Sequence, residues 1–459
     1  MRVIASARSL ILLFVCAVCS VALAEGDGEK HSFPYNPKAG DLTTVTVRIK
    51  VGGDLTVKAD SKVKPLKMNV DGAIRYHERL LEAGPKVIRS ARHYDQTAAT
   101  ITIEKEIIKP VMRPASQLIV AEALETKPAL FSPAGPLTRD ELDLIDVPCN
   151  SLILANLLPS TAVAKNDTWH PSDDALAALL GLDAVGTSKV DCVLKEVVAG
   201  QEANMQVTGE VGGAIDGVAT EMELKGKFVY SFKHGHITSL ALLIKEKRSI
   251  GHVSPGLDVV ARIEMTVAPL AESAQLTDAA VQKFSIQKTG TATAANAEQL
   301  IYKHASFSLQ TDRRWHLIEE RPDTSVWRMV DRGELVAQCN MALRDVTEGK
   351  TVTLATFQSE IKKALGKNFQ QFVHASQHVN ENGNACFRVI AAGEVTGLPI
   401  QWNYCMVTDG KKQLTFAFTL ESSLEGRFAE ADQPIVNSIK FLPSPAETAA
   451  EPTPATSHK

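Results

Sequence analysis

Apolar residues recur at every second position over most of this chain, the period of a strand with one buried face. Between Leu42 and about Val267 the pattern runs through Leu66, Met68, Val70, Ile74 and Tyr76, then Ile101 and Ile103. A more buried run follows from Leu118 to Leu124. It returns in Ala203, Met205, Val207 and Val211, and again in Met222, Leu224, Phe228, Tyr230 and Phe232. After a turn at His234-Gly235-His236 it continues through Leu240, Leu242 and Ile244, and ends with Leu257 to Val267. Long strands with one polar face pair antiparallel. The period changes between the two groups. Thr138-Arg139-Asp140-Glu141 forms a capping box before Leu142 and Ile145. Ser151 to Leu158 is apolar and stops at Pro159, and Ser172 caps a helix carrying Leu176, Leu179 and Leu180 that ends at Gly181.

A second alternating region is centred on Cys386 to Leu420, where three strands are separated by turns at Thr396-Gly397-Leu398-Pro399 and Asp409-Gly410. Ile400, Trp402, Tyr404 and Met406 fall on one face, and the pattern is read as placing Leu414, Phe416, Phe418 and Leu420 beside them. Upstream, Phe307 and Leu309 start a strand, and Val326–Val330 and Leu335–Leu343 make a hairpin about Asp331-Arg332-Gly333. Thr356 is expected to cap a helix carrying Phe357, Ile361, Ala364 and Leu365, and Asp432 a shorter one carrying Ile435, Val436 and Ile439. Fourteen of the 25 aromatic residues lie between Tyr302 and Leu442, so a separate core begins there.

Strands, then helices, then strands, without βαβ alternation, define an α+β chain. The boundaries expected are a leader at 1–24, a flexible terminus at 25–40, a curved antiparallel sheet with inserted helices at 41–270, a linker at 271–303, a second sheet unit at 304–442 and a disordered tail at 443–459. The order β-β-β-α-β-β-β-β-α resembles the PsbP-like family. The residues behind the likeness are Phe307 with Trp315, the helix at Thr356, the run Gly393 to Tyr404, and Ile435-Val436-Asn437-Ser438 followed by Phe441. The resemblance covers about a third of the chain. It implies an antiparallel sheet between helices (an α/β/α sandwich) and a binding or assembly role without chemistry; it carries over no site residue. The N-terminal half resembles, in architecture alone, the half-barrels of lipoprotein carriers.

Composition narrows the function. Arg2 and Arg8, the apolar run Leu10 to Val21 and Ala22-Leu23-Ala24 form an export leader with an A-x-A cleavage site. Neither Cys16 nor Cys19 follows the small residue that a bacterial lipid-attachment cysteine favours, so a soluble periplasmic or extracellular protein is expected, with no membrane anchor after cleavage. Lys and Arg total 49 and Asp and Glu 53; the leader holds two of the arginines and no acid, leaving a net charge of about −6. That argues against nucleic acid as a partner. Beyond the leader remain Cys149, Cys192, Cys339, Cys386 and Cys405, an odd number whose pairing is left open. A two-residue turn at Thr396-Gly397 would set Cys386 opposite a position near 407 rather than Cys405, so most of the five are read as small buried hydrophobes.

No constellation reads as catalytic. His234 and His236 flank a turn, and His374 and His378 lie too far apart along a strand to share a metal. Asp140, Glu141, Asp143, Asp146, Asp173 and Asp174 sit beside helix starts, where capping explains them. Ser254 has the wrong spacing for a nucleophile elbow. Gly209, Gly212, Gly213 and Gly217 lie between strands and are read as relieving crowding. Trp169 either rims a pocket or staples a loop to a helix. The expectation is an exported binding or accessory protein of the cell envelope, with no enzyme activity, metal or cofactor. The alternative is a carrier of an apolar, lipid-like ligand whose cavity is lined by Met222, Leu224, Phe228 and Tyr230. The partner is an envelope protein in the first case and the apolar ligand in the second.

Overall fold

The structure is a computed structural model that describes residues 28–59, 62–84, 87–123, 128–198, 200–282, 299–346 and 352–443. The leader, the middle of the expected linker and nearly all of the expected tail lie outside the described residues. The chain is dominated by antiparallel strands in three sheets. The largest contains β1 (Leu42–Ala59), β2 (Lys62–Ala83), β3 (Ile88–Ile103), β4 (Glu106–Ile108), β5 (Leu118–Ala123), β6 (Ala129–Phe131), β7 (Thr168–Trp169), β8 (Ala184–Val198), β9 (Glu202–Ile215), β10 (Val218–Ser231), β11 (His236–Arg248) and β12 (Gly256–Pro269). Its order is β6-β5-β3-β2-β1-β12-β11-β10-β9-β8-β7, with β4 beside β3. The first long strand therefore pairs with the last, from Thr43–Pro269 to Thr56–Gly256, and joins the two sequence groups into one sheet.

One face of this sheet is covered by the segment inserted between β6 and β8. It contains α1 (Arg139–Ile145), a 3₁₀ helix (Ser151–Leu157) and α2 (Asp173–Leu180). Thr138 accepts from the Glu141 amide while the Glu141 carboxylate takes the Thr138 amide, and Ser172 accepts from Ala175. These are the caps the sequence signals. Leu142, Ile145, Leu152, Ile153, Leu176 and Leu179 bury with Val45, Val47, Ile74, Leu194, Met205, Phe228, Leu240 and Ile263 in one cluster. Each such side chain contributes roughly 1.5–3 kcal/mol.

Two expected boundaries shift. Residues 28–40 are seated rather than loose. His31 bridges to Val163, Phe33 is buried against Tyr230 and Phe232, and the Pro34 carbonyl accepts from Tyr230 Oη at 2.7 Å. Two aromatics and an exchange of backbone hydrogen bonds outweigh the polar composition from which the looseness was inferred. The linker is likewise shorter than 271–303. Leu276 and Val281, the latter on α3 (Asp278–Gln282), pack with Ala91 on the other face of the sheet. At its far end Leu300–Lys303 is already strand β13.

The second unit holds β14 (Phe307–Thr311), β15 (Trp315–Glu320), β16 (Thr324–Asp331), β17 (Glu334–Asp345), α4 (Leu354–Leu365), β18 (Phe369–Val379), β19 (Ala385–Val395), β20 (Leu398–Thr408), β21 (Lys412–Glu421), α5 (Glu425–Phe428), α6 (Asp432–Ser438) and β22 (Lys440–Phe441). Seven strands form a sheet in the order β15-β16-β17-β21-β20-β19-β18, and β13, β14 and β22 form a small one. Phe357 and Ile361 of α4 cover one face with Val389, Ala391 and Met406. Phe428 of α5, Ile435 and Val436 of α6, and Phe307 and Leu309 cover the other with Phe416 and Phe418.

Three expectations change here. Trp402 sits opposite Thr419 and Cys405 opposite Phe416, so Trp402, Tyr404 and Met406 lie on the α4 side and Phe416 and Phe418 on the other. The turn closes at Thr408–Gln413 because Asp409 Oδ1 captures the amides of Lys411 and Lys412, widening it. Any hairpin loop with an even number of residues pairs odd positions with even ones, so the two aromatic rows were bound to separate. The cap of α4 is Thr353, with Thr356 as its reciprocal partner. Asp432 does not cap α6; it is fully buried and bound to Arg388.

The two units meet tip to tip. The β9–β10 turn at Gly217 touches the β16–β17 turn at Gly333, where a Cβ on Gly217 would lie 2.0 Å from the Gly333 Cα. Both glycines have positive φ, and no side chain fits between the turns. Arg139 adds hydrogen bonds to the carbonyls of Arg313 and Trp315, and Arg328 donates to the His252 carbonyl.

Candidate functional site

The inner face of the first sheet carries a polar island. Glu78 lies opposite Arg92, and both are nearly fully buried. Arg92 Nε donates to Glu78 Oε1 at 2.7 Å and Ser90 Oγ donates to the same oxygen at 2.8 Å. Ser151 Oγ donates to Glu78 Oε2 at 2.7 Å. Since that proton is committed, Ser151 accepts from Arg92 Nη2 and from Tyr76 Oη, each at 3.0 Å. Arg92 Nη2 also donates to Asn150 Oδ1 at 2.6 Å, the atom that caps the 3₁₀ helix through the Leu152 amide. The guanidinium lies 4.8 Å from the centre of the Tyr76 ring. Burial pushes the Tyr76 phenol well above its ordinary range, so it stays a donor.

A cavity of about 230 Å³ opens against this island. Glu78 and Ser151 form its polar wall. Leu80, Leu152, Leu154, Ile237 and Val267 form apolar walls, and Tyr35, Asn36 and Pro37 of the seated N-terminal segment form a third side. Burial, and then Glu78 and Asp41, raise the Tyr35 phenol and keep it protonated. His234 and His236 close the rim. His236 Nδ1 lies 3.1 Å from the His234 carbonyl, which can only accept, so Nδ1 carries the proton. Burial lowers the His236 pKa, and the ring is neutral at pH 7. Its Nε2 is buried without a hydrogen-bond partner and stands as a free acceptor. Besides Asn36, Asp41 and Thr43, the cavity thus offers a phenol donor, an imidazole acceptor and a closed carboxylate–guanidinium pair. Ser151 gives its proton to a carboxylate already held by Arg92, a poor base, so the arrangement suits recognition rather than nucleophilic attack.

A larger cleft of about 920 Å³ lies where the two units meet, lined by Asp143, Asp146, Asp173, Asp174, Asp183 and Asp216 together with Arg139, Arg248, Ser254 and His316. Burial and the neighbouring Arg139 lower the His316 pKa. Ser254 Oγ is buried with no hydrogen-bond partner, so no base is in reach to activate it. Asp140 and Glu141, and Asp173 and Asp174, occupy first helical turns. Glu141 is also clasped by Arg113, at 2.6 Å from both Nε and Nη2.

The other expected positions fall into structural roles. Met222, Leu224, Phe228 and Tyr230 are all buried in the cluster that the inserted helices fill. Trp169 Nε1 donates to the Leu157 carbonyl at 2.8 Å and staples its junction. His378 pairs with Asn437, and no group of three potential metal ligands occurs among the described residues. Gly209 lets the β8 backbone approach so closely that a Cβ would lie 2.0 Å from the Lys189 carbonyl oxygen. The five described cysteines are free and buried, with Cys386 opposite Val407. Burial raises the Cys149 thiol to about 12 and the Cys386 thiol to about 11. Sequence reading passed over Glu78 and Arg92. The available signal was parity, since Glu78 keeps the alternation of Ile74 and Tyr76 and so puts an acid on an apolar face.

No family model and no curated protein matches the chain. Three solved structures resemble about a third of it. Cyanobacterial PsbP from Synechocystis sp. PCC 6803 is 13% identical over 34% of this chain and 99% of its own, with a TM-score of 0.27. A Bacteroides thetaiotaomicron protein is 13% identical over 32% of this chain and 48% of its own, with a TM-score of 0.23. A Pseudomonas aeruginosa protein of unknown function is 10% identical over 34% and 99%, with a TM-score of 0.21. The PsbP likeness is thus one of a partial, sheet-rich fold. No helix among the described residues is long and apolar enough to cross a membrane.

Proposed function

We propose that this chain is an exported, non-catalytic binding protein of the cell envelope, and that it takes a small, partly apolar ligand in the cavity bounded by Tyr35, Glu78, Ser151 and His236. The observation that carries the reading is the His236 Nε2 acceptor, buried at the rim of a cavity whose Glu78–Ser151 wall is already hydrogen-bonded within itself. An unpaired buried acceptor costs free energy that a donor on a ligand would recover. The volume lies below the roughly 300–1,000 Å³ typical of drug-sized ligands, which favours a compact molecule over an acyl chain. The packed surroundings of Met222, Leu224 and Phe228 weigh the same way against the lipid-carrier reading. The C-terminal unit, a sheet between helices in the PsbP manner, acts in this reading as a docking module.

The test is native mass spectrometry of the purified protein, combined with a melting-temperature screen of small amphiphiles carrying a hydrogen-bond donor. A bound species or a stabilising hit should be lost in Ala155→Leu, which fills the cavity from its half-buried wall. Absence of any bound or stabilising compound refutes the ligand site. Substrate turnover that Glu78→Gln abolishes refutes the non-catalytic reading.

A further inference from the structure

We propose that the hairpin end of the first sheet docks on an anionic phospholipid membrane surface. Pairing of β1 with β12 stops at Thr56–Gly256, and pairing of β2 with β3 stops at Met68–Ile103. The β1–β2 hairpin nevertheless continues to Ala59–Lys62. Among the described residues, its last positions form a two-stranded finger paired with no other strand. A bare ribbon of this kind gains little from its own burial. Its apolar residues are therefore not explained by the fold.

Four strongly exposed apolar side chains collect at this end. Val63 on the finger is 64% exposed, and on the adjacent β3–β4 corner Ile107 is 63%, Ile108 48% and Val111 76% exposed. Register relates them. Ile107 lies opposite Thr102, and Thr102 opposite Asn69, so Ile107 shares a face with Val63, which lies further along β2 toward the hairpin tip. Ile108 lies opposite Ile101 and continues the inner apolar face to the rim.

Charge selects the occupant. Lys58, Lys62, Lys64, Lys105 and Lys109 are all exposed around these four residues. The acids nearby are fewer. Asp54 is taken by Lys67 at 2.8 Å, Glu104 receives the Lys67 amide, and Glu106 and, in sequence, Asp60 remain. The chain as a whole is acidic, so a local excess of lysine around protruding Val and Ile is a segregated feature. Apolar tips that enter the headgroup boundary while lysines meet lipid phosphates are the two signals that reversible membrane binding requires.

The experiment is flotation of the chain from Glu25 onward, which contains every described residue and excludes the apolar leader, with vesicles of phosphatidylglycerol and phosphatidylcholine against phosphatidylcholine alone. Binding should require phosphatidylglycerol and weaken as salt rises. Lys62→Glu/Lys64→Glu/Lys105→Glu should reduce it roughly tenfold or more. Ile107→Ser/Ile108→Ser/Val111→Ser should reduce it at constant charge. All six positions are exposed, and unchanged circular dichroism would confirm that the fold is kept. Equal binding to both vesicles, no binding to either, or variants that float like the parent overturn the proposal. So does a dimer in lipid-free solution that the isoleucine variant abolishes, because the surface would then belong to a second copy.

Discussion

Both sheets bury an arginine–carboxylate pair across neighbouring elements, yet the two pairs live in different surroundings. Arg388 donates to Asp432 from Nε at 2.6 Å and from Nη2 at 3.1 Å, beneath α6 and beside the buried thiols of Cys405 and Cys339. Burial first, and then Asp432, hold both thiols protonated. Arg92 and Glu78 are as deeply buried, but three hydroxyls and an amide crowd around them and a cavity adjoins Glu78. The first pair clamps a helix to a sheet. The second organises a wall. The same chemistry therefore marks a site only where hydrogen-bonding partners exceed what the charges need and space lies alongside.

The sharpest way to break that comparison is to remove one partner from each pair. Asp432→Ala leaves the buried Arg388 with only the longer contact to Glu430 at 3.5 Å and should cost about 3–5 kcal/mol in urea unfolding. Glu78→Gln should cost less, about 1–3 kcal/mol, because the cavity gives water a path toward the polar island and the amide keeps one acceptor. Equal losses in the two variants would mean that the cavity wall is as dry as the clamp. Thr353→Ala removes the α4 cap from the opposite face of the second sheet and should cost roughly 1 kcal/mol. A loss as large as that of Asp432→Ala would show that α4, not the clamp, limits this unit.

The smallest effect is the share of the pH dependence that His236 carries in the first unit. His236 faces the carbonyls of His234 and Val267, the His234 ring and, further away, Asp41, and burial outweighs them in lowering its pKa. Below its ordinary value of 6.5 the unfolded chain takes up a proton that the folded chain resists. Stability is therefore complete above that pH and declines as pH falls from there toward the depressed value, by at most about 1.4 kcal/mol per unit. His236→Gln should flatten this slope in melting curves between neutral and mildly acidic pH. An unchanged slope would place the titration elsewhere.

Strand existence and the caps at Thr138 and Ser172 were legible because each depends on local pattern. Ser172 and Gly181 bracket α2 where the sequence sets them. What pairs across space was less so. That Trp402 and Phe416 lie on opposite faces depended on the parity of the β20–β21 pairing, which alternation within each strand does not carry. Asp432 resembled a cap because helix-start composition is the same for a cap and for an acid reaching into the core. The site was hidden for a related reason. Glu78 and Ser151 are distant in sequence, and only the return of the 3₁₀ helix over β2 brings them together.

The parity of β19 to β21 has a further consequence, for cooperativity. Along β20, Tyr404 and Met406 pack toward α4 while Cys405 and Val407 pack toward α6. Neighbouring peptide groups thus hang from different cores. Neither core can melt while the other keeps these strands in register, so the seven-stranded unit should open as a single foldon. The slowest-exchanging amides of β19, β20 and β21 should then share one opening free energy, whichever face their side chains occupy.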